Sequence, residues 1–360
     1  MHLPGIRSEY VQTGRLLHYT LFSGNNDDFP VIFLHGNISS STFWEETMLG
    51  LPVGFRGIAP DLRGFGLTDP RGLICADRGI SDWVNDIRAL TDALSIDRFI
   101  LAGHSMGGFI AWGCLAAFPE RIAGVVLIAP GSPFGFGGNH GESGILNQSD
   151  GAGSGAGMVN KGFAERIAKK DKGTSDPLTS PRSVMNRLFW ANSFKPTRED
   201  DFLNAVLSVH SGRHQYPGDT QKSTNWPGFA PGIWGPVNAL SPLYNRDLAR
   251  QVVDACMPYH ILWVRGNDDQ IVSDSSLSDA GNLGKTGIIP GWPGEKIFPS
   301  QPMISQTKKI LEQLSASGAV VAEEVMIGCG HTPFIEQSVK FNRIFHKWLS
   351  IHPLRDHLIC

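Results

Sequence analysis

Arg98-Phe99-Ile100-Leu101-Ala102-Gly103-His104-Ser105-Met106-Gly107-Gly108-Phe109 reads as a strand that turns abruptly into a helix. Phe99 to Ala102 is a short apolar run of the kind a buried parallel strand needs, and Phe109 to Phe118 continues as an apolar, helix-like run. Between them Gly103 and Gly107 flank Ser105 at i−2 and i+2, where a Cβ would collide with neighbouring backbone in a tight turn. Ser105 is therefore a candidate nucleophile at a strand-to-helix elbow. The helix that starts just after it turns free N–H groups and the positive end of its dipole toward the place where an acyl oxyanion would form, which makes the Met106 N–H a candidate oxyanion donor.

Working outward, short apolar runs at Val31 to Leu34, Gly57 to Pro60, Val125 to Ala129, His260 to Val264 and Val320 to Ile327 alternate with helix-period stretches at Ile80 to Leu94, Met303 to Leu314 and Phe334 to Leu349. This alternation predicts an α/β fold with a doubly wound, mostly parallel sheet and a site at the carboxyl ends of the strands. Glu9 to Phe22, turning at Thr13-Gly14-Arg15, predicts an edge hairpin. The regularity stops after Pro130. Residues 131–157 hold ten glycines and few apolar residues, which predicts a mobile loop. From Ser180 to Leu243 the chain is aromatic and partly helical, which predicts a largely helical cap or lid over 131–250 inserted into a core made of 1–130 and 251–360. A second irregular insertion runs from Ser275 to Pro302, a length uncommon unless a loop borders a site.

The 360 residues carry a formal net charge of −3, are 41% hydrophobic and 18% charged, and hold no dense basic block. That balance argues against nucleic acid or an anionic membrane as partner and for small-molecule chemistry. No apolar run reaches membrane-spanning length and the first residues lack a signal-peptide pattern, so a cytoplasmic location is expected. The five cysteines, at 75, 114, 256, 329 and 360, are odd in number and scattered, which suggests neither a disulfide framework nor a zinc site. His210 and His214 would share a helix face at i, i+4, a zinc-binding spacing, but no third ligand accompanies them. No metal and no organic cofactor is expected.

A serine hydroxyl needs a neutral imidazole to take its proton and a carboxylate to orient that imidazole. Arg265-Gly266-Asn267-Asp268-Asp269 follows the His260 strand and offers two carboxylates at its carboxyl end; either Asp269 or Asp268 can be the orienter. Gly328-Cys329-Gly330-His331 follows the last predicted strand, which makes His331 the best candidate base. Cys329 lacks an elbow of its own and reads as packing. The order Ser105, Asp269, His331 agrees with one triad-bearing fold and disagrees with two others.

His35-Gly36-Asn37, Asp61-Leu62-Arg63-Gly64-Phe65-Gly66, Gly103 to Gly108, Gly266 to Asp269 and Gly330-His331 together resemble the α/β-hydrolase superfamily, in particular its branch of esterases, lactonases, cofactor-free haloperoxidases and C–C bond hydrolases. The resemblance implies that the acid is the last residue of G-x-x-D, hence Asp269 with Asp268 as backup, and that the second oxyanion donor is the N–H of Asn37. His35 and His104 read as packing and hydrogen-bonding residues beside the site, and Arg63 as a buried ion-pair partner. Trp190, Phe194, Trp226 and Trp234 are candidate substrate-binding residues of the cap. The expected activity is cleavage of a mostly apolar carboxylic ester or lactone through an acyl-enzyme, by a chain that could form a homo-oligomer. The alternatives are a C–C bond hydrolase with the same triad and a ligand receptor that does not turn over. Epoxide hydrolases and haloalkane dehalogenases fit less well, because their elbow nucleophile is Asp.

Overall fold

Eight strands form one sheet in a computed structural model that describes residues 2–255 and 259–351. Cys256 and Cys360 lie outside the described residues, and the other three cysteines are free. The strands are β1 (Arg7–Gln12), β2 (Leu17–Ser23), β3 (Phe29–Leu34), β4 (Phe55–Pro60), β5 (Phe99–His104), β6 (Ile122–Ile128), β7 (His260–Gly266) and β8 (Val320–Met326). Their spatial order is β1-β2-β4-β3-β5-β6-β7-β8. From β4 onward every pairing is parallel, while β1 and β2 form the expected hairpin and join β4 antiparallel.

The helices that flank the sheet are α1 (Ser81–Ala93), α2 (Met106–Ala117), α7 (Met303–Ala316) and α8 (Ser338–Ile351), with α3 (Lys161–Ala168), α4 (Pro181–Leu188), α5 (Glu199–Leu207) and α6 (Leu248–Asp254) between β6 and β7. Burial explains the apolar content of each element. β5 and β6 are buried at every residue, as central parallel strands covered on both faces must be. α2 is buried from Met106 through Leu115, so it lacks the polar stripe of a surface helix. By contrast α1 buries Trp83, Val84, Ile87 and Leu90 on one face only. At the sheet edge β8 is partly exposed and carries Glu323 and Glu324, charges that discourage pairing with another strand.

Arg63 makes the ion pair its sequence position suggests. Its Nε and Nη2 donate to the two carboxylate oxygens of Asp86 at 2.6 and 2.7 Å, a buried two-point contact that fixes the loop after β4 against α1.

Two segments differ from expectation. The stretch 131–157 is irregular but packed, not a free loop. Ser132, Asn139, Ala152 and Ser154 are fully buried, and a set of amides joins the stretch to Gln301 and Gln306. Gln301 Oε1 accepts from the Gly137 N–H at 2.6 Å, Gln301 Nε2 donates to the Gly135 carbonyl at 2.9 Å, and Gln306 Nε2 donates to Asn139 Oδ1 at 2.6 Å. Glycine-rich composition here serves turns of positive φ, among them Gly137 and Gly138, and buried hydrogen bonds satisfy the backbone. The second difference is at His210 and His214. Helix α5 ends at Leu207, so the two imidazoles share no helix face. The His210 ring bonds the Gly66 carbonyl at 3.1 Å, while the His214 ring lies against Trp234. Among the described residues no group of His, Cys, Asp and Glu is placed to hold a metal, and no helix is long and apolar enough to cross a membrane.

Candidate active site

Ser105 follows β5 directly and caps the N-terminus of α2 with φ 55° and ψ −116°, a left-handed conformation that costs a non-glycine residue about 1–3 kcal/mol. Close packing imposes it. A Cβ on Gly103 would run into the Gly107 carbonyl, and one on Gly107 into the carbonyl of Leu34 on the neighbouring strand β3. The turn is pinned by backbone bonds: Ser105 N–H to the Ile128 carbonyl at 3.0 Å, and Gly131 N–H to the Ser105 carbonyl at 2.9 Å. Its hydroxyl has no hydrogen-bond partner among the described residues.

Next to the elbow, the loop after β3 carries Asn37. The Asn37 side-chain oxygen accepts from the Ile38 N–H at 3.0 Å, so the carboxamide is folded onto its own loop. The Asn37 backbone N–H donates to no acceptor among the described residues, and neither does the N–H of Met106 in the first turn of α2. His35 is fully buried and structural: its Nε2 accepts from the Leu62 N–H at 2.9 Å and its Nδ1 donates to the Gly36 carbonyl at 2.8 Å.

The carboxylate and imidazole meet across the ends of β7 and β8. His331 Nδ1 and Asp269 Oδ2 are 2.8 Å apart, both side chains nearly fully buried. A carboxylate only accepts, so Nδ1 is the donor in this contact. Asp269 Oδ1 accepts from the N–H groups of Ile271 and Val272 at 2.8 and 3.0 Å, which fixes the plane of the carboxylate. Asp268 points elsewhere: it is exposed and accepts only from the Asn267 amide. Of the two carboxylates, the turn after β7 brings Asp269 to His331 and leaves Asp268 exposed.

His104 supports the His331 loop from β5. Its Nε2 donates to the His331 carbonyl at 2.8 Å and the two rings lie 4.6 Å apart. Burial, reinforced by the His331 ring, holds the His104 pKa well below the usual histidine range, so His104 stays neutral. Burial also pushes the Cys329 thiol up to about 12, which rules it out as a thiolate nucleophile at neutral pH.

The sequence reading missed Glu336. Its carboxylate accepts from the Gly330 N–H at 2.9 Å, from the Thr332 N–H at 3.2 Å and from the Ala191 N–H at 2.8 Å. Burial raises its pKa above the ordinary carboxylate range. An acid five residues beyond a candidate base, at the end of the short helix Pro333–Glu336, is the signal that could have drawn attention to it.

Of the four aromatics expected to bind substrate, Trp190 touches the His331 loop. Trp190 is buried against Phe189, Phe194 and Phe202, donates to Asn186 Oδ1 at 3.0 Å, and its backbone lies where a Cβ on Gly330 would go. Trp226 is anchored to the second insertion through the Pro290 carbonyl and the Phe298 ring, and Trp234 packs on His214. None of these contacts involves the side chains of Ser105, Asp269 or His331.

The family model described as "alpha/beta hydrolase fold" matches residues 30–338. The chain belongs to the alpha/beta hydrolase fold family. It is 35% identical over 103 residues to a 2-hydroxy-6-oxo-2,4-heptadienoate hydrolase of Pseudomonas putida, covering 28% of this chain and 36% of the relative. It is 32% identical over 131 residues to a cis-3-alkyl-4-alkyloxetan-2-one decarboxylase of Shewanella oneidensis, covering 36% of this chain and 40% of that one. The matches thus span well under half of these curated relatives. Among solved structures it resembles a serine hydrolase of the polyaromatic hydrocarbon-degrading bacterium Cycloclasticus zankles, with a TM-score of 0.59 at 16% identity over 96% of this chain and 98% of that chain. The fold expected from the sequence, a mostly parallel sheet with flanking helices in the α/β-hydrolase arrangement, is the fold the protein has.

Proposed function

We propose that this alpha/beta hydrolase is a serine hydrolase that cleaves a carboxylic ester or lactone through an acyl-enzyme. The observation that carries this reading is the buried 2.8 Å contact between Asp269 and His331, on the same sheet end as the strained elbow at Ser105. In this mechanism His331 Nε2 takes the Ser105 proton as Oγ attacks the substrate carbonyl, Asp269 stabilises the imidazolium, and the unpaired N–H groups of Met106 and Asn37 hold the oxyanion. The protonated imidazole then gives its proton to the leaving alkoxide. Water, deprotonated by the same imidazole, releases the acid and restores Ser105.

The segment between β6 and β7 serves in this reading as a cap over the site. Arg198 at the start of α5 reaches the fully buried Glu45 of the core at 2.6 Å, and the Ala191 N–H reaches Glu336. A relative acting on an alkyl-oxetan-2-one, itself a cyclic ester, favours an apolar lactone among the candidate substrates. The second reading, hydrolysis of a C–C bond in a vinylogous diketone, draws on the Pseudomonas relative and uses the same three residues.

A fluorophosphonate incubated with the protein should leave its mass on Ser105 alone, and a panel of short-chain esters, lactones and an oxo-dienoate should show which bond is broken. Turnover of the oxo-dienoate without the esters would move the assignment to C–C hydrolysis. Neither label nor turnover of any member would end the proposal in favour of a binding protein.

A further inference from the structure

Glu336 receives hydrogen bonds from two parts of the chain that lie far apart in sequence. Gly330 and Thr332, on either side of His331, donate their N–H groups to it, and Ala191 of the inserted segment donates a third. The same two regions touch again where the Thr332 hydroxyl donates to the Phe189 carbonyl at 2.9 Å and where Gly330 lies flat against the Trp190 backbone. A carboxylate suits this position because both oxygens accept. A carboxamide would turn an N–H toward one of the backbone donors and lose that bond.

We propose that Glu336 is a positioning residue that makes the placement of the His331 imidazole depend on the seating of the inserted segment at Trp190 and Ala191. The inference rests on the reading of His331 as general base. With the segment seated, residues 330 and 332 are both held and the imidazole between them has one orientation. With it displaced, Glu336 loses its Ala191 partner and the loop loses the Phe189 anchor, so proton transfer from Ser105 becomes conditional on closure over substrate.

Glu336→Ala and Glu336→Gln are made in the full chain, active sites are counted by fluorophosphonate, and kcat and KM are measured per labelled site beside Ser105→Ala. Hydrogen exchange is followed at 189–191 and 330–332. Glu336→Ala is expected to lower kcat by about 100-fold with KM unchanged, the loss associated with a misplaced catalytic group. Glu336→Gln should fall in between, and exchange should rise at both segments together. Unchanged kcat per labelled site in both variants would reduce Glu336 to a fold-stabilising role and overturn the inference. So would faster exchange confined to 330–332. Ser105→Ala turning over like the wild type would instead defeat the reading of the triad, and that outcome is separate from either of these.

Discussion

The ring of His104 donates to the main-chain carbonyl of His331 across 2.8 Å, so the residue beside the elbow serine holds the loop that carries the imidazole. Two elements more than two hundred residues apart in sequence are thereby fixed in one geometry. His104→Phe should leave the His331 carbonyl buried without a donor, at a cost of about 1–3 kcal/mol in stability. kcat for ester cleavage should fall further than stability alone explains. Denaturant melts and per-site kinetics on the same preparation check both; an unchanged kcat would show that the loop keeps its place without His104.

The elbow stores strain that a glycine would relieve. Ser105→Gly should raise stability by about 1 kcal/mol while removing the nucleophile, because φ 55° is costly for serine and free for glycine. A midpoint shift to higher denaturant with loss of turnover is the expected pair of results; a destabilised variant would mean that the Ser105 side chain contributes more to packing than its conformation costs.

Asp269→Asn keeps the shape of the side chain but supplies the wrong hydrogen-bonding partner to His331 Nδ1, so kcat should drop by about 10⁴-fold. Asp268→Asn, one residue away and exposed, should leave kcat as it is. Equal losses from the two variants would contradict the assignment of the acid.

Asp279, the fully buried N-cap of the short helix Ala280–Lys285, has its carboxyl raised to about 6 by burial. Because the folded pKa lies above the unfolded one, the ionised group opposes folding above about pH 6. That opposition shrinks as pH falls below 6 and vanishes only below the ordinary Asp pKa of about 3.9, where both states are protonated. Asp279→Asn, which keeps a capping oxygen, should therefore raise the melting temperature at pH 8 and raise it clearly less at pH 4.5. A stabilisation of the same size at both pH values would refute the ionisation argument.

Much of this was legible from residue spacing. The elbow, the strand-end carboxylates and the glycine-flanked His331 announce themselves because each needs a special backbone next to a strand, and such backbones require glycine at fixed offsets. The choice of Asp269 over Asp268 needed side-chain directions, which the sequence supplies only through the family's motif register. Composition misled at 131–157: ten glycines read as freedom, whereas the buried amides of Asn139, Gln301 and Gln306 take up the backbone groups that such a segment leaves open. Gln301 and Gln306 lie over a hundred residues away, beyond the reach of any local pattern. His210 and His214 failed for a local reason, since α5 stops at Leu207 before either of them. Glu336 was passed over because its partners are backbone N–H groups, which leave no trace in side-chain chemistry.

The amide lattice linking Gly135, Gly137 and Asn139 to Gln301 and Gln306 also sets where this chain can be recombined with its kin. A chimera that exchanges only the stretch between β6 and β7 would strand the two glutamines in an interior with no acceptors and donors to match. Grafts that carry 131–157 and 275–306 as one unit would keep the lattice whole.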